Sequence, residues 1–149
     1  MRGAWFISAL LLALVAASFV ERKAQRGAPT FAACDIIIDC GERSLGAYQI
    51  ELTADRPGAK VVGVEGGDHP EFKNAPYYDP AALSGGRIVV GALSLADAKS
   101  LPTGEFRAAR VHFMLEDPQT GFTVKVHTAG DERGAMMDVQ ARAQRAPTK

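Results

Sequence analysis

The sequence predicts an all-β fold, an antiparallel two-sheet β-sandwich preceded by one N-terminal hydrophobic helix. Three observations carry that prediction. Beyond residue 34 the apolar residues recur with period two rather than 3.6 almost everywhere. About seven short stretches of this kind are separated by Gly, Pro, Asp and Asn clusters, the spacing of a sandwich. The exception is Ala4 to Val20, which runs 17 residues without a charged side chain.

That N-terminal run is too apolar for a surface helix. Arg2 precedes it, and Glu21, Arg22, Lys23 and Arg26 follow at once, the layout of an export signal or of a single membrane anchor over residues 1–20. Ala16-Ala17-Ser18 supplies the small residues that cleavage before Phe19 requires, while the direct passage from Val20 into charge favours retention. A hydrocarbon core of ~30 Å takes about 20 helical residues. A run of 17 is at the short end of that range. Basic residues flank both ends, so the charge rule leaves orientation open. Export is the expectation: anchored through residues 4–20 and facing the periplasm or cell exterior, or secreted.

Residues 21–33 read as a polar linker, residues 34–142 as the sandwich, and residues 143–149 as a disordered basic tail. The expected strands begin with Asp35 to Cys40 and Tyr48 to Thr53. In the second, Tyr48, Ile50 and Leu52 share one face and Gln49, Glu51 and Thr53 the other. Lys60 to Glu65, Gly86 to Leu93, Ala108 to Glu116, Phe122 to Thr128 and Met136 to Ala141 follow. Cys34 and Cys40 lie on one face of the first strand, and six strand residues span ~20 Å. A disulfide tolerates only ~7 Å between Cα atoms, so two thiols that do not pair with each other are expected, buried by default as small hydrophobes or else used intermolecularly.

Asp117-Pro118-Gln119-Thr120-Gly121-Phe122 has the chemistry of a hairpin turn, with Pro presetting the turn and Gly leaving it. Pairing Asp117 with Phe122 puts Val111, Phe113 and Leu115 on the face of Phe122, Val124 and Val126. His112 then opposes His127, with Arg110 and Lys125 on the same outward face. Two histidines fall short of the three or four ligands a zinc site needs, and two flanking cations would repel a metal. These four residues are therefore candidates for a partner-binding surface, with no metal expected.

The connection from Gly66 to Gly85 is 20 residues long, and loops of that length tend to carry function or structure of their own. Asp79 as N-cap, Pro80 at the first helical position and Gly85 at the stop predict one helical turn over Ala81 to Ser84. Phe72, Tyr77 and Tyr78 are expected to cover an open end of the sandwich. His69, Phe72, Tyr77, Tyr78 and Asp79 are the loop's candidates for ligand or partner contact.

Chemistry-bearing motifs are sparse. Gly41-Glu42-Arg43-Ser44-Leu45-Gly46 misses the nucleophile elbow by one residue and precedes a strand rather than a helix. Asp68 and His69 have no nucleophile at a recognisable spacing, although Ser84 lies in the same loop. Phosphate loops, EF-hands and HExxH are absent from the sequence. No catalytic residue and no cofactor is expected. Lys and Arg total 17 against 17 Asp and Glu, and this balance removes the electrostatic attraction on which nucleic-acid binding depends.

The order of motifs resembles the cohesin family. The resemblance rests on Leu45-Gly46-Ala47-Tyr48-Gln49-Ile50-Glu51-Leu52, then Val61-Val62-Gly63-Val64-Glu65-Gly66-Gly67, then Gly85-Gly86-Arg87-Ile88-Val89-Val90, then Leu101-Pro102-Thr103-Gly104 leading into Ala109-Arg110-Val111-His112-Phe113. It covers roughly Asp35 to Ala141. It implies a jelly-roll sandwich related in fold to bacterial carbohydrate-binding modules, and a non-enzymatic adhesion or scaffolding role with a dockerin-like protein partner. The related fold suggests a polysaccharide as the alternative ligand, held on Tyr77 and Tyr78. The only tryptophan, Trp5, lies in the N-terminal apolar run and is not available as a sugar platform. A small hydrolase using His69 is the remaining reading.

Overall fold

Alternating apolar and polar residues build eight strands in the computed structural model, which describes residues 28–147. They are β1 (Thr30–Asp39), β2 (Ala47–Ala54), β3 (Lys60–Gly66), β4 (Tyr77–Tyr78), β5 (Arg87–Leu93), β6 (Glu105–Leu115), β7 (Phe122–Gly130) and β8 (Gln140–Arg145). Three 3₁₀ turns, Pro70–Phe72, Pro80–Ser84 and Ala98–Ser100, lie in the connections. The N-terminal hydrophobic helix expected over residues 1–20 lies outside the described residues.

The strands form two four-stranded antiparallel sheets, one ordered β3-β6-β1-β8 and the other β4-β5-β2-β7. Every connection except β4 to β5 crosses from one sheet to the other, so sequential strands face one another across the core. Ile36, Ile38, Ile50, Leu52, Ile88, Val90, Val111, Phe113 and Leu115 fill the space between the sheets and are fully buried. This is the antiparallel sandwich that period-two patterning demands.

The crossings correct the expected hairpin. β6 and β7 belong to different sheets, and Asp117 to Gly121 carries the chain over the end of the sandwich. Phe113 and Phe122 meet across the core with ring centroids 4.7 Å apart. A shared apolar face is equally compatible with two strands paired side by side and with two strands facing each other, and here facing holds. His112 and His127 therefore never oppose each other. Each points outward from a different sheet.

Three boundaries also move. β1 begins at Thr30, so residues 30–33, expected as linker, pair with β6 from Leu115 to His112. Residues 143–145, expected as tail, are strand: Ala143 pairs with Ile36 and Arg145 with Cys34. The strand expected over Met136 to Ala141 is divided between the sheets. Met136 bridges Gly130 and Met137 N–H donates to Ala129 O at 3.0 Å, after which the chain leaves for β8 beside β1. β8 offers only Ala141 and Ala143 to the core, which is why its pattern is weak.

The strand registers define two poles. Thr30, Lys60, Leu115 and Arg145 end the strands of one sheet at the pole where Ala54, Arg87 and Phe122 end those of the other. Asp39, Gly66, Glu105, Ala47, Leu93 and Gly130 mark the opposite pole. A strand of β6's length, 11 residues, spans about 35 Å.

Candidate binding surface

The long loop folds back onto the sandwich. Gly66 and Gly67 permit this, since a Cβ on Gly66 would collide with the Lys73 carbonyl and one on Gly67 with the Arg107 carbonyl. Asp68 N–H donates to Arg107 O and Arg107 N–H donates to the Asp68 carboxylate, both at 3.0 Å. The first 3₁₀ turn then drives Phe72 into the core, where it is 2% exposed, edge-on to Tyr48 at 5.4 Å and stacked on Phe106 at 6.0 Å. Phe72 is thus a core residue, unavailable to a ligand, because the open end of the sandwich needs an apolar plug. Tyr48 donates its hydroxyl to Ala108 O at 3.0 Å.

His69 N-caps that turn: its Nδ1 accepts from Glu71 N–H at 3.3 Å while the ring packs edge-on to Phe106. Ser84 donates to Ala81 O at 2.9 Å. Asp68, His69 and Ser84 are each committed to backbone partners and share no hydrogen bond, so they do not assemble a nucleophile and base. Asp79 caps the second 3₁₀ turn by accepting from Ala81 N–H at 2.9 Å, with Pro80 next to it as expected. The helical turn comes out as 3₁₀ over Pro80–Ser84.

Between the two turns Tyr77 and Tyr78 form β4, an edge strand paired to Gly91 and Val90. Alternation separates the two rings. Tyr78 is half-buried against the core, whereas Tyr77 is 83% exposed on the outer face of the β4-β5-β2-β7 sheet. Only one ring is left as a flat aromatic contact.

The four outward residues of β6 and β7 do not form one surface. Arg110 and His112 lie on the outer face of the β3-β6-β1-β8 sheet, and both are paired. Arg110 donates Nε and Nη2 to the Asp35 carboxylate at 2.6 and 2.9 Å, and His112 Nε2 lies 2.7 Å from Glu65 Oε1. Lys125 and His127 lie on the outer face of the other sheet. There Glu51 collects Arg87 Nη2 at 2.6 Å, His127 Nε2 at 3.0 Å and Thr53 Oγ1 at 3.3 Å. The Arg87 guanidinium, then His127, hold the Glu51 carboxyl down at about 2. Among the described residues no group of three or more His, Cys, Asp or Glu is placed to hold a metal ion.

The Tyr77 face therefore has two zones. Toward one pole it carries the Glu51 charge network. Toward the other it is apolar: Leu93 and Met136 are 62% and 69% exposed and line a shallow depression with Tyr77, Ala47, Ala92 and Gly91. Beside it, Gln49, Asp79 and Arg87 border a second depression that also touches Tyr77. Leu93 and Met136 were not among the candidates read from the sequence. Leu93 carried a signal nonetheless, since β5 is apolar on both faces, with Ile88, Val90 and Ala92 inward and Val89 and Leu93 outward. Met136 carried none, because it lies in the segment between β7 and β8 and reaches this sheet only through an isolated bridge to Gly130.

Neither a family model nor a curated protein matches the chain. Solved structures do. A non-cellulosomal cohesin from the hyperthermophilic archaeon Archaeoglobus fulgidus superposes with a TM-score of 0.57 at 16% identity, over 74% of this chain and 74% of that one. A chain of the CaDoc0917–CaCohA2 complex superposes with a TM-score of 0.56 at 14% identity, over 75% of this chain and 85% of its own length. At such identities the likeness speaks for the fold: this chain has the fold of a cohesin-type domain.

Proposed function

We propose that the chain is a non-enzymatic protein-binding module, held at the cell envelope or secreted, that recognises its partner through the apolar zone around Tyr77, Leu93 and Met136. The observation that carries this reading is the exposure of three large apolar side chains of separate segments on one face of a rigid sheet. Burying such groups against a partner removes apolar surface from water at about 25 cal/mol per Å², and Tyr and Met are enriched at protein interfaces. The neighbouring Glu51, Arg87, Lys125 and His127 supply a polar rim. The cohesin-type fold supports a protein partner, dockerin-like in kind.

A photo-crosslinker placed at position 93, compared with one at position 112 on the opposite sheet, tests the reading against a panel of dockerins and the envelope proteins of the source organism. Adducts confined to position 93 and lost with Tyr77→Ala support it. Adducts confined to position 112 overturn it. A polysaccharide is the second reading, favoured by Tyr77 standing beside Gln49, Asp79 and Arg87. It is held by a single ring, since Tyr78 turns inward, and Tyr77-dependent retention on polysaccharide would establish it.

A further inference from the structure

Resting on the reading of residues 4–20 as a retained anchor, we propose that the pole bearing Phe31 and Val62 docks on the lipid interface of the membrane that holds the chain. Phe31 is 73% exposed and Val62 48% exposed, on opposite sides of one groove that crosses β6 between β1 and β3, with Ala33, Gly63, His112 and Arg145 also in its lining. Exposed apolar side chains rimmed by polar ones mark an interaction site. Val62 is exposed because a register shift between Val61 and Gly63 lifts it out of the β3–β6 ladder.

Chain length selects the occupant. The apolar run ends at Val20 and β1 begins at Thr30, which leaves residues 21–29 between them. Nine residues reach at most about 30 Å when fully extended, so the Thr30 end of the sandwich stays within that distance of the bilayer surface. Phe31 is the second residue of β1 and so lies at the tethered end of the sandwich. The connecting residues are net basic, with Arg22, Lys23 and Arg26 against Glu21, and the exposed Lys60 opens β3 beside Met114, while Glu116 and Asp117 follow the end of β6. Basic side chains close to anionic headgroups are attracted to them. Aromatic and aliphatic groups that enter the headgroup region add their apolar burial. The consequence is an orientation: Tyr77, Leu93 and Met136 lie toward the opposite pole and face away from the membrane.

Trp5 is the natural chain's only tryptophan, so fluorescence tests the proposal. The full-length chain is reconstituted in phosphatidylcholine/phosphatidylglycerol vesicles with and without brominated lipid. Quenching of Trp5 in the natural chain reports that the anchor is inserted. In the Trp5→Phe background, Phe31→Trp and, separately, Val62→Trp are expected to give blue-shifted emission quenched by bromolipid, while Tyr77→Trp stays unquenched. Inserted anchor with positions 31 and 62 quenched no more than position 77 overturns the docking and leaves the anchor reading intact. Blue-shifted but unquenched emission at 31 and 62 gives the groove to a second copy or another protein, and also overturns it. Unquenched Trp5 removes the anchor reading and the proposal together.

Discussion

Asp35 and Arg110 face each other across β1 and β6 and share two hydrogen bonds, Nε to Oδ1 at 2.6 Å and Nη2 to Oδ2 at 2.9 Å. Asp35 is one of the few buried polar residues, at 7% exposure. The pair raises the Arg110 pKa above its ordinary value, chiefly through the Asp35 hydrogen bond. Removing one partner strands the other with its charge desolvated, which costs more than the pair itself contributes. Arg110→Ala is expected to destabilise the sandwich by about 2–4 kcal/mol, read from urea denaturation, without altering partner capture by the folded protein. Capture lost at full folding would return Arg110 to the binding surface.

Glu51 couples the charged zone of the Tyr77 face to pH. Its carboxyl is lowered from an ordinary 4.5 to about 2 by Arg87, then His127. A lowered folded pKa means that the unfolded state binds the proton first as pH falls. Its stabilisation is therefore complete above pH 4.5 and lost between pH 4.5 and about 2. Urea midpoints taken across that window should fall less steeply for Glu51→Gln than for the natural chain. Equal slopes would show that the network does not contribute to folding.

The sandwich was legible because period two is a local property. Tyr48, Ile50 and Leu52 alternate with Gln49, Glu51 and Thr53 whatever lies beside them, and β2 follows with all three apolar residues buried. Which strand lies beside which is not local. Val111, Phe113 and Leu115 match Phe122, Val124 and Val126 in polarity, and nothing in either stretch distinguishes a neighbour in the same sheet from one across the core. The binding face depends on that missing information: Tyr77, Leu93 and Met136 come from β4, β5 and the segment after β7, and only the sheet order brings them together. Of the three, Tyr77 alone was among the residues singled out from sequence, as one of two adjacent tyrosines of which alternation turns the other inward, while the apolar outer face of β5 was the only signal for Leu93.

Cys34 and Cys40 are both buried and both free. Burial, with Asp35 adjacent, pushes the Cys34 thiol up to about 12, and burial raises Cys40 as well. Because the thiolate is the nucleophile, neither is expected to react with a maleimide at neutral pH faster than the chain unfolds. Labelling followed by mass spectrometry should show two adducts in denaturant and almost none without it. Rapid native labelling at Cys40, which borders a surface depression beside Asp39 and Gly41, would show that the pole of the sandwich opens. The linkage has the opposite sign to that of Glu51: above pH 9.0 the unfolded chain alone ionises at Cys34, so stability falls as pH rises from 9.0 toward 12.

Phe72 and Tyr77 sit five positions apart in one loop and should respond to the same substitution in opposite ways. Phe72 plugs the open end of the sandwich between Tyr48 and Phe106. Phe72→Ala leaves a cavity and is expected to cost about 3–5 kcal/mol, a large fraction of the 5–15 kcal/mol typical of a domain. Tyr77→Ala removes a ring that touches mostly solvent and should change stability by no more than about 0.5 kcal/mol. Partner binding should fall with Tyr77→Ala at constant fold and with Phe72→Ala only as the folded fraction falls. Thermal denaturation and capture measured on both variants check this. A Tyr77→Ala protein that unfolds like Phe72→Ala would make Tyr77 a structural residue and withdraw it from the binding face.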